Sequence, residues 1–280
     1  MEFKKYHGTG NDFIIVDNRS KAYQLAEKQI ADLCDRHFGI GADGMMFVEE
    51  SEKADVKMVY HNADGSPAAM CGNGIRCFAK FTYDYGIVKE KVFTIETKAG
   101  IKRIRVEAES GEVHLVEVNM GKAVFEADQV PVYSEQKEWI DQPVETPYGT
   151  FRLSAASMGN PHCVIVVDEF QHAQYEKIGP YFEKASIFPN GANVNFVEYL
   201  DRSTIKVTTW EKGSGFTLAC GTGSCASVAV LNRMGLLDES VKVVVPGGEL
   251  SIQLNDEVIM SGPAVHVFDG KIIATEEESS

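Results

Sequence analysis

Two short segments of this chain are variations on one pattern. Met70-Cys71-Gly72-Asn73-Gly74-Ile75-Arg76-Cys77-Phe78-Ala79 is echoed by Ala219-Cys220-Gly221-Thr222-Gly223-Ser224-Cys225-Ala226. Both read Cys-Gly-x-Gly, then a second Cys and an Ala, and they stand roughly half of the 280-residue chain apart. Internal similarity at so long an interval points to one unit used twice.

The surroundings repeat as well. In the first half Phe13–Val16 predicts a strand, and Leu25–Phe38 has helical spacing ending at Gly39. Met45–Val48 and Val56–Tyr60 predict strands, followed by Cys71-Gly-Asn-Gly and a helix from about Ile75 to Tyr85. Val92–Glu96, Ile101–Val106 and Val113–Val118 alternate as strands between turns at Ala99-Gly100 and Ser110-Gly111. In the second half Val164–Val167 predicts a strand, Tyr175–Lys184 a helix interrupted at Gly179-Pro180, and Val194–Val197 and Ile205–Thr209 strands. Cys220-Gly-Thr-Gly opens a helix from about Ser224 to Arg233, and Val241–Val245, Leu250–Leu254 and Val258–Ser261 follow as strands. The expected fold is α+β, with two similar domains, each a mixed sheet or barrel wrapped around a helix that starts at a cysteine. The polar stretch Ser134–Thr146 reads as a surface loop early in the second domain, and the tail Thr275–Ser280 is too polar to pack.

A helix start leaves its first N–H groups outside the intrahelical ladder and carries a partial positive charge. Glycines there let a ligand approach the backbone, so each segment is a candidate anion site, most simply for a carboxylate. The same field favours thiolate over thiol. Two such cysteines from related halves can face each other across one cleft, one sulfur on each face of a ligand carbon. That suits inversion at the α-carbon of an amino acid, where one thiolate removes the α-proton and the other thiol delivers a proton to the opposite face. Helix ends holding the carboxylate supply preorganised donors where charge develops, and no cofactor is required in principle. Plainer uses compete. Cys34 and Cys163 read as small buried hydrophobes, and Cys77 and Cys225 as packing residues inside the helices. The cysteine spacings fit zinc poorly, so no metal is expected. Neither segment is a Walker loop or a dinucleotide fingerprint.

With 41 acidic and 27 basic residues the net charge is −14, and no basic stripe offsets it, which argues against nucleic acid as a partner. An anionic small molecule stays open, because a local cluster of N–H groups overrules the global charge. Apolar runs such as Cys163–Val167 fall far short of the ~20 residues of a membrane span. The start MEFKKYHGTG lacks an apolar secretory core, so the expectation is a cytoplasmic protein whose six cysteines are free thiols.

Four polar turns accompany the cysteine segments: His7-Gly8-Thr9-Gly10-Asn11-Asp12-Phe13, His61-Asn62-Ala63-Asp64-Gly65-Ser66, Gly159-Asn160-Pro161-His162 and Trp210-Glu211-Lys212-Gly213-Ser214-Gly215. Singly, each fits an Asx turn. Jointly, their asparagines donate and accept, and so can read both ammonium and carboxylate groups.

These motifs, with Asn193-Val194 and the two cysteine segments, resemble the diaminopimelate epimerase family over nearly the whole chain. The resemblance implies two pseudo-symmetric domains and a homodimer. It also implies interconversion of LL- and meso-diaminopimelate without pyridoxal phosphate, in lysine and peptidoglycan precursor synthesis in the cytoplasm. Carried over position by position, it makes Cys71 and Cys220 the two-base pair, and Asn11, Asn62, Asn160 and Asn193 substrate ligands. Gly72-Asn73 and Gly221-Thr222 resemble the backbone cradle of the α-carboxylate, and His162 and Glu211 resemble supporting catalytic residues near the substrate amine and the thiols. The C-terminal strand around Val265–Phe268 is expected to return to the first domain, giving domains 1–119 with about 264–280, and 120–263.

Three positions depart from the family pattern. Lys212 follows Glu211 where Arg is usual, and it would hold a substrate carboxylate as a point charge rather than through a planar fork. A related two-cysteine racemase of another amino acid therefore remains open, as does a non-catalytic amino-acid-binding module, which would not need both thiols. Gly44 replaces a common Gln, so no contact is assigned there, and Phe268 stands where a dimer-contact Tyr is common.

Overall fold

The computed structural model describes residues 1–272. The chain divides into two compact units, Met1–Val118 with the segment returning from Pro263, and Asn119–Gly262. The Thr275–Ser280 tail and the end of the returning segment lie outside the described residues.

The first unit contains β1 (Glu2–Gly8), β2 (Asn11–Asp17), α1 (Glu27–Cys34), β3 (Gly44–Glu49), β4 (Val56–Asn62), β5 (Pro67–Ala68), α2 (Gly72–Asp84), β6 (Val92–Thr97) and β7 (Gly100–Glu109). β8 (Glu112–Gly121) leads out of it. The second contains β9 (Gln142–Thr146), β10 (Gly149–Ser157), β11 (Pro161–Val167), α3 (His172–Glu183), β12 (Asn193–Asp201), β13 (Thr204–Glu211) and β14 (Gly215–Phe216). It continues with α4 (Gly221–Arg233), β15 (Ser240–Val245), β16 (Gly248–Leu254) and β17 (Val258–Gly262), after which the chain returns to the first unit as β18 (Val265–Lys271).

Strand neighbours run β18-β1-β2-β3-β4-β6-β7-β8 in the first unit. They run β9-β10-β11-β12-β13-β15-β16-β17 in the second. The series match pair for pair. β2/β3 and β4/β6 are parallel, as are β11/β12 and β13/β15, and the other pairs in both series are antiparallel. A parallel pair needs a crossover connection, and in each unit the two crossovers carry the two helices. Phe13 stands opposite Gly44 as His162 stands opposite Asn193, and Met46 opposite Tyr60 as Asn195 opposite Thr209. The register therefore equates Asn11 with Asn160, Met46 with Asn195, and Tyr60 with Thr209.

Every residue of α2 from Gly72 to Thr82 is buried, which marks a core helix rather than a surface one. It touches β18, β1, β2, β3 and also β7, so the sheet curls around it. α4 is set in the same way against β10 to β13, β16 and β17. A second core layer packs α1 on the other sheet face through Ile30 and Cys34 against Ile14, Val16 and Met45, and α3 through Ile178 and Phe182 against Ile165 and Phe196. The α+β class, each unit a mixed sheet wrapped around a cysteine-started helix, is the observed one.

Three local expectations need correction, and one strand, β1, is not among those expected. The Ser134–Thr146 stretch is not all loop. Its last five residues form β9, paired to β10, because Val144 packs on the core and the Thr146 hydroxyl closes the hairpin on Gly149 O at 2.7 Å. α1 stops at Cys34 instead of reaching Phe38. The Asp35 carboxylate accepts from the His37 and Phe38 amides, both at 2.7 Å, and turns the chain there. α3 runs through Gly179-Pro180 without a break, held by the burial of Ile178 and Phe182 on either side. β1 has no alternating apolar pattern in sequence because Lys5 points inward, where its ammonium meets Asp12 at 2.6 Å and also donates to Gly41 O.

Candidate active site

Cys71 is the N-cap of α2, with extended backbone, and the helix ladder begins behind it at Ile75 N→Cys71 O, 2.9 Å. The amides of Gly72, Asn73 and Gly74 thus lie outside the ladder, and the Gly74 amide donates to the Cys71 sulfur at 3.4 Å. The thiol donates to Asn11 Oδ1 at 3.4 Å, and Asn73 Nδ2 donates to the same oxygen at 3.4 Å. Asn11 Nδ2 in turn donates to Asp43 Oδ2 at 2.5 Å, which fixes which end of its amide faces the sulfur. Asp43 is tied to Arg36 at 2.7 Å, and Arg36 also meets Asp12 at 2.6 Å. Burial works against the Asp12 carboxylate, but Arg36 and Lys5 outweigh it and draw its pKa down to about 2. Asn11, Asn73 and Cys71 therefore form one bonded group, with Gly72 next to Cys71 in the chain. Asn62 does not join it. Asn62 is exposed at the end of β4, and its amide donates to Ser66 Oγ at 3.0 Å within the 62–66 turn.

Cys220 takes the same N-cap position on α4, with Ser224 N→Cys220 O at 2.9 Å starting the ladder past Gly221, Thr222 and Gly223. Its sulfur lies 3.6 Å from the Thr222 hydroxyl. Burial pushes the Cys220 thiol well above its ordinary value and the Glu211 carboxylate pushes it further, against the opposing pull of the Thr222 hydroxyl and Gly223 amide. Cys220 is thus held as a thiol. Glu211 is oriented by the Thr217 hydroxyl at 2.7 Å. Asn193 accepts from the Lys212 amide at 2.8 Å, while the Lys212 ammonium, exposed, donates to Asn190 O at 2.9 Å.

His162 is 0% exposed. Asn195 Nδ2 faces its Nδ1 at 3.2 Å and also donates to Cys163 O at 3.2 Å, while the Thr209 hydroxyl donates to Asn195 Oδ1 at 2.9 Å. The Asn195 amide can sit only one way, so Nδ1 accepts and the Nε2–H donates to Asn160 Oδ1, 3.1 Å away. Burial holds the ring well below its ordinary pKa, at about 3, despite the Asn195 bond. His162 is a neutral ring that orients Asn160.

Gly223 is required by close approach to a hydrogen-bonded amide, and Gly74 lies close under the end of a flexible methionine. A Cβ on Gly223 would stand 2.3 Å from Asn195 Oδ1, and one on Gly74 would stand 2.2 Å from Met46 Cε. The two helices thus rest on equivalent strand residues, apolar in the first unit and hydrogen-bonded in the second.

Sequence reasoning gave no role to Thr9, Asp43, Arg76, Asn195 or Thr209. Thr9 and Arg76 lie inside the glycine-rich and cysteine motifs, and Asn195 shares a strand face with Asn193 two residues before it, a spacing visible in the sequence. Cys34, Cys77, Cys163 and Cys225 are all buried, in keeping with packing roles; burial raises the Cys34 thiol to about 11 and also raises those of Cys77 and Cys163. Among the described residues no cluster of three or more His, Cys, Asp or Glu side chains is placed to hold a metal ion, and no helix is long and apolar enough to cross a membrane.

A model of the diaminopimelate epimerase family matches residues 3–126 and 154–267. A diaminopimelate epimerase of Clostridium perfringens is 46% identical over 273 residues, covering 96% of this chain and 98% of that protein. One from Caldanaerobacter subterraneus is 44% identical, covering 97% and 99%, and one from Methanococcus maripaludis 42%, covering 97% and 99%. Among solved structures, a hydroxyproline epimerase of Agrobacterium vitis matches with TM-score 0.71 at 16% identity, covering 97% of this chain and 90% of that one. A phenazine biosynthesis protein of the PhzF type from Bacillus anthracis matches with TM-score 0.71 at 19% identity, covering 98% and 99%. At these identities the two structures speak for the fold alone.

Proposed function

The chain belongs to the diaminopimelate epimerase family, and on that premise we propose that it inverts one α-carbon of diaminopimelate with Cys71 and Cys220 as paired base and acid. It is an isomerase that interconverts diaminopimelate stereoisomers. The observation that carries the two-thiol reading is the repeated placement of a cysteine at the mouth of a buried helix, each with its own polar support. The reading requires the two sulfurs to be presented to opposite faces of one carbon. Cys220, held as a thiol by burial and by Glu211, suits the proton donor of the resting enzyme, and Cys71 the base. When the reaction runs backward the roles exchange.

The amides of Gly72-Asn73 and Gly221-Thr222 are the donors for the α-carboxylate, where negative charge grows as the α-proton leaves. Asn11 and Asn160 hold the reacting end, each locked by a partner, Asp43 for one and His162 for the other. Asn62 and Asn193 are the remaining side-chain ligands. Glu211 serves both the substrate amine and the Cys220 thiol, and Lys212, exposed beside Asn190, is the cation available to the distal carboxylate. The chemistry uses no cofactor. Synthesis of lysine and peptidoglycan precursors in the cytoplasm is the setting the family implies. A homodimer is supported by exposed Val265, Val267 and Phe268 on β18, an edge strand paired to β1.

Lys212 makes the substrate the point to test. Assayed on LL-diaminopimelate beside a panel of monocarboxylate amino acids, the enzyme is expected to turn over the former and leave the panel unchanged. Turnover confined to the panel overturns the assignment in favour of a related racemase.

A further inference from the structure

We infer that Arg76, acting through the Thr9 hydroxyl, is a positioning residue for the Cys71 thiol; the inference rests on Cys71 being a reacting group. Arg76 is 0% exposed and is, among the described residues, the largest fully buried side chain. A buried full charge is expensive unless its donors are well matched. Its guanidinium reaches back toward the mouth of α2, with Nη1 on Gly72 O at 3.1 Å, Nη2 on Thr9 Oγ1 at 3.2 Å, and Nε on Pro263 O at 3.2 Å. Through these contacts the fork holds three separate pieces of chain: the helix start, the β1–β2 turn and the returning segment.

Thr9 carries a second, independent sign. It is buried, β-branched, and left-handed at φ 51°. Such a residue is a true conformational outlier, retained where the surroundings need that side chain. Its hydroxyl accepts from Arg76 and donates to Asn73 Oδ1 at 3.4 Å. Asn73 donates to Asn11 Oδ1, and that oxygen also receives the Cys71 thiol. The relay runs Arg76, Thr9, Asn73, Asn11, Cys71, with Asp43 pinning Asn11 from its far side.

The second unit supports the link by lacking both parts. The position equivalent to Arg76 is Cys225, five residues after its N-cap cysteine, and the position equivalent to Thr9 is Met158, which is not left-handed. Charge and strain occur together in one copy and are absent together from the other. The device therefore belongs to the Cys71 side, and Cys220 is set instead by Glu211 and Thr222.

Thr9→Val keeps size and branching and removes only the hydroxyl. It is expected to lower kcat by about 10-fold or more while KM moves less than about threefold, as a displaced reacting group does. It should also change the rate at which iodoacetamide alkylates Cys71, read by peptide mass spectrometry, and leave that of Cys220 unchanged. Thr9→Ser, which restores the hydroxyl, should recover most of both effects. Arg76→Met should reproduce the pattern with a larger loss of kcat. Thr9→Val with wild-type kcat and wild-type Cys71 alkylation overturns the inference. So does a loss of kcat accompanied by lower melting temperature and an equal change at both cysteines, which marks general loosening. If wild-type enzyme leaves diaminopimelate untouched while Cys71 alkylation still responds to Thr9→Val, the functional reading fails and the positioning role stands.

Discussion

Serine at either position 71 or 220 should cut epimerisation by about 10³-fold or more, within the range general acid–base groups supply. A hydroxyl is far less acidic than a thiol, so neither the base nor its conjugate acid survives the exchange. The two variants should nonetheless differ in a revealing way. Each keeps one working thiol on one face of the α-carbon. In D2O each should therefore wash the α-proton out of one diaminopimelate stereoisomer without inverting it, and the two variants should select opposite stereoisomers. If either variant epimerises at the wild-type rate, the two-base mechanism is wrong. If both exchange the same isomer, one thiol does not face the side assigned to it.

The second large effect concerns stability rather than rate. His162 is neutral in the folded protein down to about pH 3, whereas an unfolded histidine titrates near its ordinary value of 6.5. The folded pKa is depressed, so this contribution to stability is complete above pH 6.5 and is lost progressively as pH falls toward the folded value. Between those values unfolding takes up one proton, worth about 1.4 kcal/mol per pH unit. From pH 6.5 to 4.5 the loss is about 2 kcal/mol, and it depends little on how far below 4.5 the folded pKa lies. Asp12, drawn down to about 2, adds its own acid sensitivity only at lower pH, below the ordinary aspartate value of 3.8. Urea unfolding at the two pH values should show this loss in the wild type and a much flatter dependence in His162→Gln, whatever that variant's absolute stability. Equal slopes in the two proteins would mean that His162 is not buried in neutral form.

The architecture could be read from the sequence wherever one feature carried enough information locally. The two Cys-Gly-x-Gly segments marked both core helices and the duplication, because both helices start close against the sheet, Gly223 against the fixed Asn195 amide and Gly74 under the end of Met46. What escaped was set by tertiary partners. β1 hides an inward lysine that only Asp12 explains, and β9 is a strand because β10 lies beside it. Pro180 is tolerated because Ile178 and Phe182 bury on either side of it. The same division runs through the site. Cys71, Cys220 and the asparagines carry recognisable chemistry. Arg76, Thr9, Asn195 and Thr209 act by holding other side chains, and nothing in their residue types announces that. His162 lay on both sides of this line. The family resemblance marked it as a supporting catalytic residue, and its burial and tautomer show a ring that aims Asn160.

The central claim is that one group removes the α-proton and another delivers a proton to the opposite face. Wild-type enzyme converting LL-diaminopimelate in D2O tests it when sampled at a few per cent conversion by mass spectrometry. The account predicts meso product carrying one deuterium at the inverted carbon, while the remaining LL substrate carries essentially none. Deuterium entering the LL pool as fast as meso product forms would mean a single base serves both faces, and would contradict it.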